Sequence, residues 1–464
     1  MNYLETENRP DRQNRVKRVQ LYKSLLALVI PIAIQNLLSA LVNSADTLML
    51  GYIGQNELSA VSLANQYMFI LWGFFFGINS ATTLMNSQYW GKGDLRAIQA
   101  VCGIALKIGF AITALVSAGC IFIPRPLMTL YTDDQILIEI GVEYLRTIGI
   151  SYLLMSFSQV YLSTLRSVEQ AKKSTIISSI TLVTNVLLNA VFIFGLFGLP
   201  KLGVFGVAIA TVIARVIELA LCLADYCKGS MFQPDLRLLL GRHRALEGDF
   251  VKYALPALVN DLVWTLAFST YSIILGHLSN DMVAASSVAT TIRDLFTTLC
   301  FGIGAGGTVI IGKELGAGKL DTAKSDASII LRLTFAVTAV FGLLIVLLRR
   351  PVMGLFALTP TAYGYLNTML IISGYYVVGQ AVNTLLIAGV FRAGGNTRFG
   401  MICDMITMWG VSVPLSFLAA FVFKWPPMVV YFLLCMDEFW KWPAVFRYYK
   451  SGKWINNITR EDSV

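Results

Sequence analysis

Charge is what this 464-residue chain has least of: 14% of its residues are charged, while 56% are hydrophobic. Soluble domains carry about 25% charged residues. So long a chain with so little polar cover is excluded from water as a globule, and equally from disorder. Cysteine is sparse and unpatterned. Cys102, Cys120, Cys222, Cys227, Cys300, Cys403 and Cys435 form no CxxC pair, which argues against a disulfide framework or a thiolate metal site. Histidine is nearly missing, with only His243 and His277. Walker, HExxH and GxSxG motifs are absent too, so no enzyme is expected. The first ~20 residues are polar and basic, without a cleavable signal pattern.

What the chain does have is long apolar runs, at about 24–48, 58–85, 98–123, 138–165, 174–197, 203–226, 250–275, 283–311, 325–348, 364–391, 399–423 and 428–446. Each approaches or exceeds the ~20 residues that span a bilayer, where only helices or closed barrels satisfy the backbone. Twelve membrane helices in an all-α polytopic protein are expected. The net charge of +9 is a matter of placement. Twenty-five basic residues fall in the two tails and in every second loop, among them Arg9, Arg18, Lys92, Arg96, Arg166, Arg237, Lys313, Arg392 and Lys453. The opposite loops hold five: Arg125, Lys201, Arg349, Arg350 and Lys424. The positive-inside rule puts both termini in the cytoplasm of a cell (plasma) membrane protein, and no nucleic-acid partner is expected.

The sequence also matches itself at a shift of 225 residues. Pro31 meets Pro256, Gly51 meets Gly276, Gly77 meets Gly302, Gly91 and Gly93 meet Gly316 and Gly318, and Arg125-Pro126 meets Arg350-Pro351. Six helices per half make the halves parallel repeats, related by a pseudo-two-fold along the membrane normal, as in some secondary transporters. The organisation read from this is a basic tail (1–23), an N-lobe (24–227), a cytoplasmic linker (228–249), a C-lobe (250–446) and a second cytoplasmic tail (447–464).

Ionisable residues inside spans are costly and need a reason. Asp46 lies late in the first span, either interfacial or a cation-binding acid. Asn185 and Asn189 share a face of the fifth span at i, i+4, where they offer ligand oxygens for a cation such as Na⁺ together with Asp46, or an ordinary interhelical contact. Asp261 in the seventh span has Asn36 as its repeat counterpart, and Asp46 has Tyr271. Trp264, Arg293 and Asp404 complete the polar and aromatic set of the C-lobe. Arg293-Asp294, Arg215 with Glu218 and Glu438 with Lys441 are locally paired charges. Lys107 and its counterpart Arg332 either snorkel to the cytoplasmic surface or form a gating pair.

Certain segments are specific enough to suggest a family: Asp46-Thr47-Leu48-Met49-Leu50-Gly51, Gly91-Lys92-Gly93-Asp94, Gly316-Ala317-Gly318, and Phe391-Arg392-Ala393-Gly394-Gly395-Asn396-Thr397-Arg398. In this order, with the 6+6 repeat, the chain resembles the multidrug and toxic compound extrusion (MATE) transporters over essentially its whole length. The resemblance implies two six-helix lobes around a V-shaped cleft and export of organic, often cationic, small molecules in exchange for H⁺ or Na⁺, without a cofactor and as a monomer in membrane lipid. It also implies that Asp46 is the first-helix coupling acid, with Asn185, Asn189 and Thr211 beside it, although many members have Asp at the second of the two asparagines. Asp261 is similar to an acid, usually Glu, of the seventh helix. The tenth helix, 364–391, lacks the acid of one major branch. The competing expectation is a lipid or glycolipid flippase of the same broad superfamily, which calls for unpaired cations such as Arg293, Lys107 and Arg332.

Overall fold

Runs of apolar residues with few prolines fold as helices, because in hydrocarbon a helix satisfies its own backbone within one segment. A computed structural model of the chain describes residues 9–198, 200–229, 235–354, 356 and 358–461, and among these every regular element is helical. The first half comprises α1 (Arg9–Ile53), α2 (Gln55–Ala64), α3 (Gln66–Lys92), α4 (Leu95–Phe122), α5 (Pro124–Thr129), α6 (Gln135–Ser167), α7 (Ala171–Phe194) and α8 (Gly203–Cys227). A short α9 (Leu236–Leu240) follows. Then come α10 (Arg244–Leu278), α11 (Asn280–Gly316), α12 (Leu320–Met353), α13 (Pro360–Asn383), α14 (Thr397–Asp404), α15 (Val413–Phe417), α16 (Pro427–Leu434), α17 (Asp437–Trp440) and α18 (Trp442–Ser451).

Eleven helices among the described residues are long and apolar enough to cross a membrane. The twelfth expected run, 428–446, is a broken rod: α16, α17 and α18 follow one another with turns at 435–436 and at 441. Pro443 contributes to the second break, since it has no N–H to donate. With this rod the chain has two sets of six hydrophobic helices. Their outward faces carry large exposed apolar side chains such as Leu48, Leu115, Phe122 and Leu347, the surface expected of a protein solvated by lipid.

The repeat shows in local structure. α3 ends on Gly93 at φ 81° and α11 is followed by Gly318 at φ 73°, so the paired glycines supply the same left-handed turn. Asp94 then caps α4 by accepting the Ala97 N–H at 3.0 Å.

The compact units do not coincide with the halves of the sequence. One consists of α1 up to Ala33 together with Val263–Ile458, the other of Ile34–Leu262 together with the chain from Thr459. Hydropathy places a boundary in the linker at 228–249, whereas the structure divides α1 and α10 themselves, each shortly after an internal proline, Pro31 or Pro256. The physical reason is close packing at two matched glycines. In the first unit a Cβ on Gly302 would sit 3.4 Å from the Val29 backbone oxygen and side chain. In the second a Cβ on Gly77 would come within 3.2 Å of the Ala254 oxygen and 2.8 Å of Leu258. Gly77 and Gly302 are repeat partners, and so are Ala254 and Val29; each leading helix fills the glycine groove of the other half.

From Asp235 onward the segment between α8 and α10 is held to the second unit by capping and packing. Asp235 caps α9 through the N–H groups of Arg237 and Leu238, and its own N–H donates to Gln99 at 3.3 Å. Leu239 packs so tightly on α4 that a Cβ at Gly103 would lie 2.0 Å from its carbonyl oxygen. Lys107 donates to the Gly241 carbonyl, so it clamps this segment. Lys107→Met is expected to speed amide hydrogen exchange across residues 236–243 without changing transport, since it releases a local unit only. A gating role for Lys107 would show instead as altered transport with unchanged exchange.

The C-terminal segment packs against both halves of the sequence. Trp454 is buried in the first unit, where a Cβ on Gly394 would meet its carbonyl oxygen at 1.7 Å. In the second unit Arg460 forks onto Asp249 at 2.7 and 3.1 Å.

Candidate cation site and buried charge clusters

In the unit Ile34–Leu262, α1 and α7 are joined by two polar rungs. Gln35 Nε2 donates to Ser178 Oγ at 3.1 Å, and Asn189 Nδ2 donates to Asp46 Oδ1 at 2.8 Å. The rungs are eleven residues apart on both helices, about 16 Å at 1.5 Å per residue, so the two helices run in the same sense. The upper rung continues into α8. Asn189 Nδ2 also approaches Asn185 Oδ1 at 3.4 Å, and Asn185 Nδ2 donates to Thr211 Oγ1 at 3.2 Å. Thr211 closes the chain by donating to its own helix at Val207.

The four residues Asp46, Asn185, Asn189 and Thr211 are therefore assembled into one hydrogen-bonded file, with both asparagines on one face of α7, as the i, i+4 spacing requires. Asn189 is 1% exposed, and its Oδ1 has no donor within reach among the described residues. One half-buried carboxylate, two amide oxygens and a hydroxyl are a donor set suited to a proton on Asp46 or to a small hard cation. Asn36 is half-buried on α1 of the same unit; on α10, Asn260 is buried and Asp261 half-buried.

In the other unit the expected set separates into two groups. Trp264 packs against Phe268 with ring centroids 4.3 Å apart and the rings tilted by 52°. The Arg293 guanidinium lies 5.9 Å from the Phe268 ring and 4.8 Å from that of Tyr376, with Asp294 at 3.8 Å. Buried at 7% exposure, Arg293 is held as a cation on aromatic faces. Asp404 is not part of that stack. Its Oδ1 lies 2.7 Å from Lys441 Nζ, which also lies 3.4 Å from Glu438 Oε2. Asn383 Nδ2 donates to the Glu438 carbonyl and carboxylate at 2.6 and 2.7 Å, and the Tyr271 hydroxyl donates to Asp437 Oδ2 at 3.3 Å. Asn383 and Asp404 each stand immediately before a π-helical stretch, Thr384–Phe391 and Met405–Ser412 respectively. Such wide turns recur at functional positions.

Sequence reasoning reached Glu438 and Lys441 as a local pair and Asp404 apart from it, and passed over Asp437 and Asn383. The available signal was two adjacent acids inside a hydrophobic run, because a run that could neutralise Glu438 through Lys441 leaves Asp437 unexplained.

Twelve hydrophobic helices built from two homologous sets of six, with carboxylates and amides joined across membrane helices, define a polytopic membrane transporter. The MatE family profile matches residues 31–191 and again 256–418, once per repeat, and the chain belongs to this family of MATE transporters. Its sequence is 25% identical over 436 residues to the uncharacterized transporter YisQ of Bacillus subtilis strain 168, covering 93% of this chain and 95% of that one. It is 24% identical over 469 residues to the probable multidrug resistance protein NorM of Thermotoga maritima, covering 99% and 97%. Among solved structures, a MOP superfamily transporter from Pyrococcus furiosus has the same fold, with a TM-score of 0.82 at 18% identity over 93% of this chain and 95% of that one. A MATE protein in complex with MaL6 superposes with a TM-score of 0.83 at 18% identity, covering 93% and 96%.

Proposed function

We propose that the chain is a secondary active antiporter that exports amphipathic, often cationic, organic molecules in exchange for H⁺ or Na⁺, working as a monomer without a cofactor. Relatives named as multidrug resistance proteins, such as NorM of Thermotoga maritima, support the export reading. The observation that carries it is the file from Asp46 through Asn189 and Asn185 to Thr211. A proton on Asp46, or a cation held by its carboxylate, withdraws the charge that makes the Asn189 bond strong. The α1–α7 rung then weakens, which couples ion occupancy to the packing of a helix. In the other unit Trp264, Phe268 and Tyr376 supply aromatic faces suited to lipophilic cations; in the unit Ile34–Leu262, Asn36 and Asp261 are polar candidates for substrate contact. The placement of basic residues supports cytoplasmic termini in the cell membrane.

The flippase alternative calls for unpaired cations to meet a lipid phosphate. Lys107 is engaged with Gly241, and Arg293 is packed on Tyr376 near Asp294, which weighs against it. The two readings separate in one preparation. Reconstituted protein is expected to move a fluorescent organic cation against its gradient when an inward H⁺ or Na⁺ gradient is imposed, while lipid scrambling stays at the level of empty vesicles. Scrambling without gradient-driven cation movement would sink the antiporter reading.

A further inference from the structure

One buried cluster of the first compact unit holds three carboxyls and a single ammonium, while the unit's other buried cations, Arg293 and Arg392, lie on α11 and at the end of the π-helical stretch after α13. Asp404, Asp437, Glu438 and Lys441 are 6%, 0%, 2% and 2% exposed. One ammonium serves two of the three carboxyls, Asp404 and Glu438. Asp437 makes no ion pair within 4 Å among the described residues; it accepts the Glu438 N–H at 2.8 Å and the Tyr271 hydroxyl at 3.3 Å. Glu438, Lys441 and Asp404 also face it electrostatically, as do the neutral Tyr375 and Tyr376 from α13 and Cys435 from the turn before α17, with Cys403 near Asp404 on α14. Arg293 of α11 is directed at the Tyr376 ring and Asp294.

Three ionised carboxylates against one ammonium would leave two uncompensated charges away from water, at several kcal/mol each. Taking up a proton removes one of them at far lower cost. A second observation points the same way. Asn383 is 3% exposed, its amide faces Glu438, and its Oδ1 has no donor among the described residues. An acceptor of this kind beside the Glu438 carboxyl suits a proton held within the cluster.

The repeat supplies the third argument. The counterpart of Asp46 in the second half is Tyr271, and Tyr271 is the residue that reaches Asp437. Both repeats thus bring a carboxyl to the same place on their leading helix. In one it belongs to that helix; in the other it is lent by α17.

We propose that Asp437 is a second proton-binding site of this transporter, positioned by the Tyr271 hydroxyl and the Glu438 N–H beside the Asp404–Lys441–Glu438 pairings. Binding forms one O–H bond on the Asp437 carboxylate with a proton taken from hydronium; release returns it to water. Use of this proton in transport rests on the antiporter reading, whereas its binding does not.

The test is infrared difference spectroscopy of the full chain in lipid bilayers as pH is changed. Wild type is expected to show a titrating protonated-carboxyl C=O band that is lost in Asp437→Asn and kept in Asp46→Asn and Asp261→Asn. An identical band in wild type and Asp437→Asn would overturn the proposal. If Asp437→Asn does not reconstitute, protein labelled with ¹³C-aspartate and carrying Asp46→Asn together with Asp261→Asn serves instead. A remaining band that shifts with the label supports the site, and no such band overturns it. Export by Asp46→Asn fails the antiporter reading alone and leaves this result untouched.

Discussion

Asp46→Asn is expected to bring gradient-driven export down to the level of empty vesicles while the protein folds and inserts normally. The substituted amide keeps the size of the carboxylate, and its oxygen can still accept the Asn189 donor that now lies at 2.8 Å. Stability should therefore change by no more than about 1 kcal/mol, the scale of one ordinary hydrogen bond. What disappears is the only charge in the Asp46–Asn189–Asn185–Thr211 file, and with it the ability to gain a proton or attract a cation. The measurement is uptake of a fluorescent organic cation into proteoliposomes under imposed H⁺ and Na⁺ gradients, with size-exclusion profiles to establish folding. Normal export by a monodisperse Asp46→Asn protein would show that coupling resides elsewhere.

Lys441→Met is expected to be among the most destabilising single substitutions in the chain, at about 3–5 kcal/mol, because removing one partner strands the others. Lys441 is 2% exposed and lies 2.7 Å from Asp404 and 3.4 Å from Glu438. Methionine fits the same space, so lost packing accounts for little of the effect. The apparent melting midpoint in detergent should fall by on the order of 10 °C. Asp404→Asn added to Lys441→Met should restore part of it, since it neutralises one of the two carboxylates that Lys441 serves and leaves Glu438 stranded. An unchanged midpoint for Lys441→Met would mean that these charges are hydrated rather than sealed in the unit.

Much of the fold was legible in the residues. A bilayer leaves the backbone few options, so hydrophobic run length alone was enough to place eleven continuous helices. The twelfth run was legible as a span but not as a broken one, because its breaks depend on a single proline and on local turns. Within the candidate site, the i, i+4 asparagines could be read as one face because helix geometry is local. Asp46 was legible as a carboxylate that could join them, whereas Thr211 came from family resemblance, since nothing local brings residues of three helices together. Asp437 and Asn383 are 54 positions apart in sequence. Their meeting at Glu438 depends on how α13 packs against the broken rod, where a Cβ on Gly379 would lie 3.1 Å from that of Glu438.

By itself, then, the sequence determined the solvent of this protein, the number of its spans, its internal duplication and the scarcity of charge within it. These follow from composition and period, which act residue by residue. Only the tertiary structure decided that the leading helices divide near their prolines, that Lys107 clamps the segment after Cys227, and that Lys441 serves two carboxylates at once. Each of these depends on which helix surfaces are narrow enough to touch, and that is settled by packing at Gly77, Gly103, Gly302 and Gly379 rather than by hydropathy.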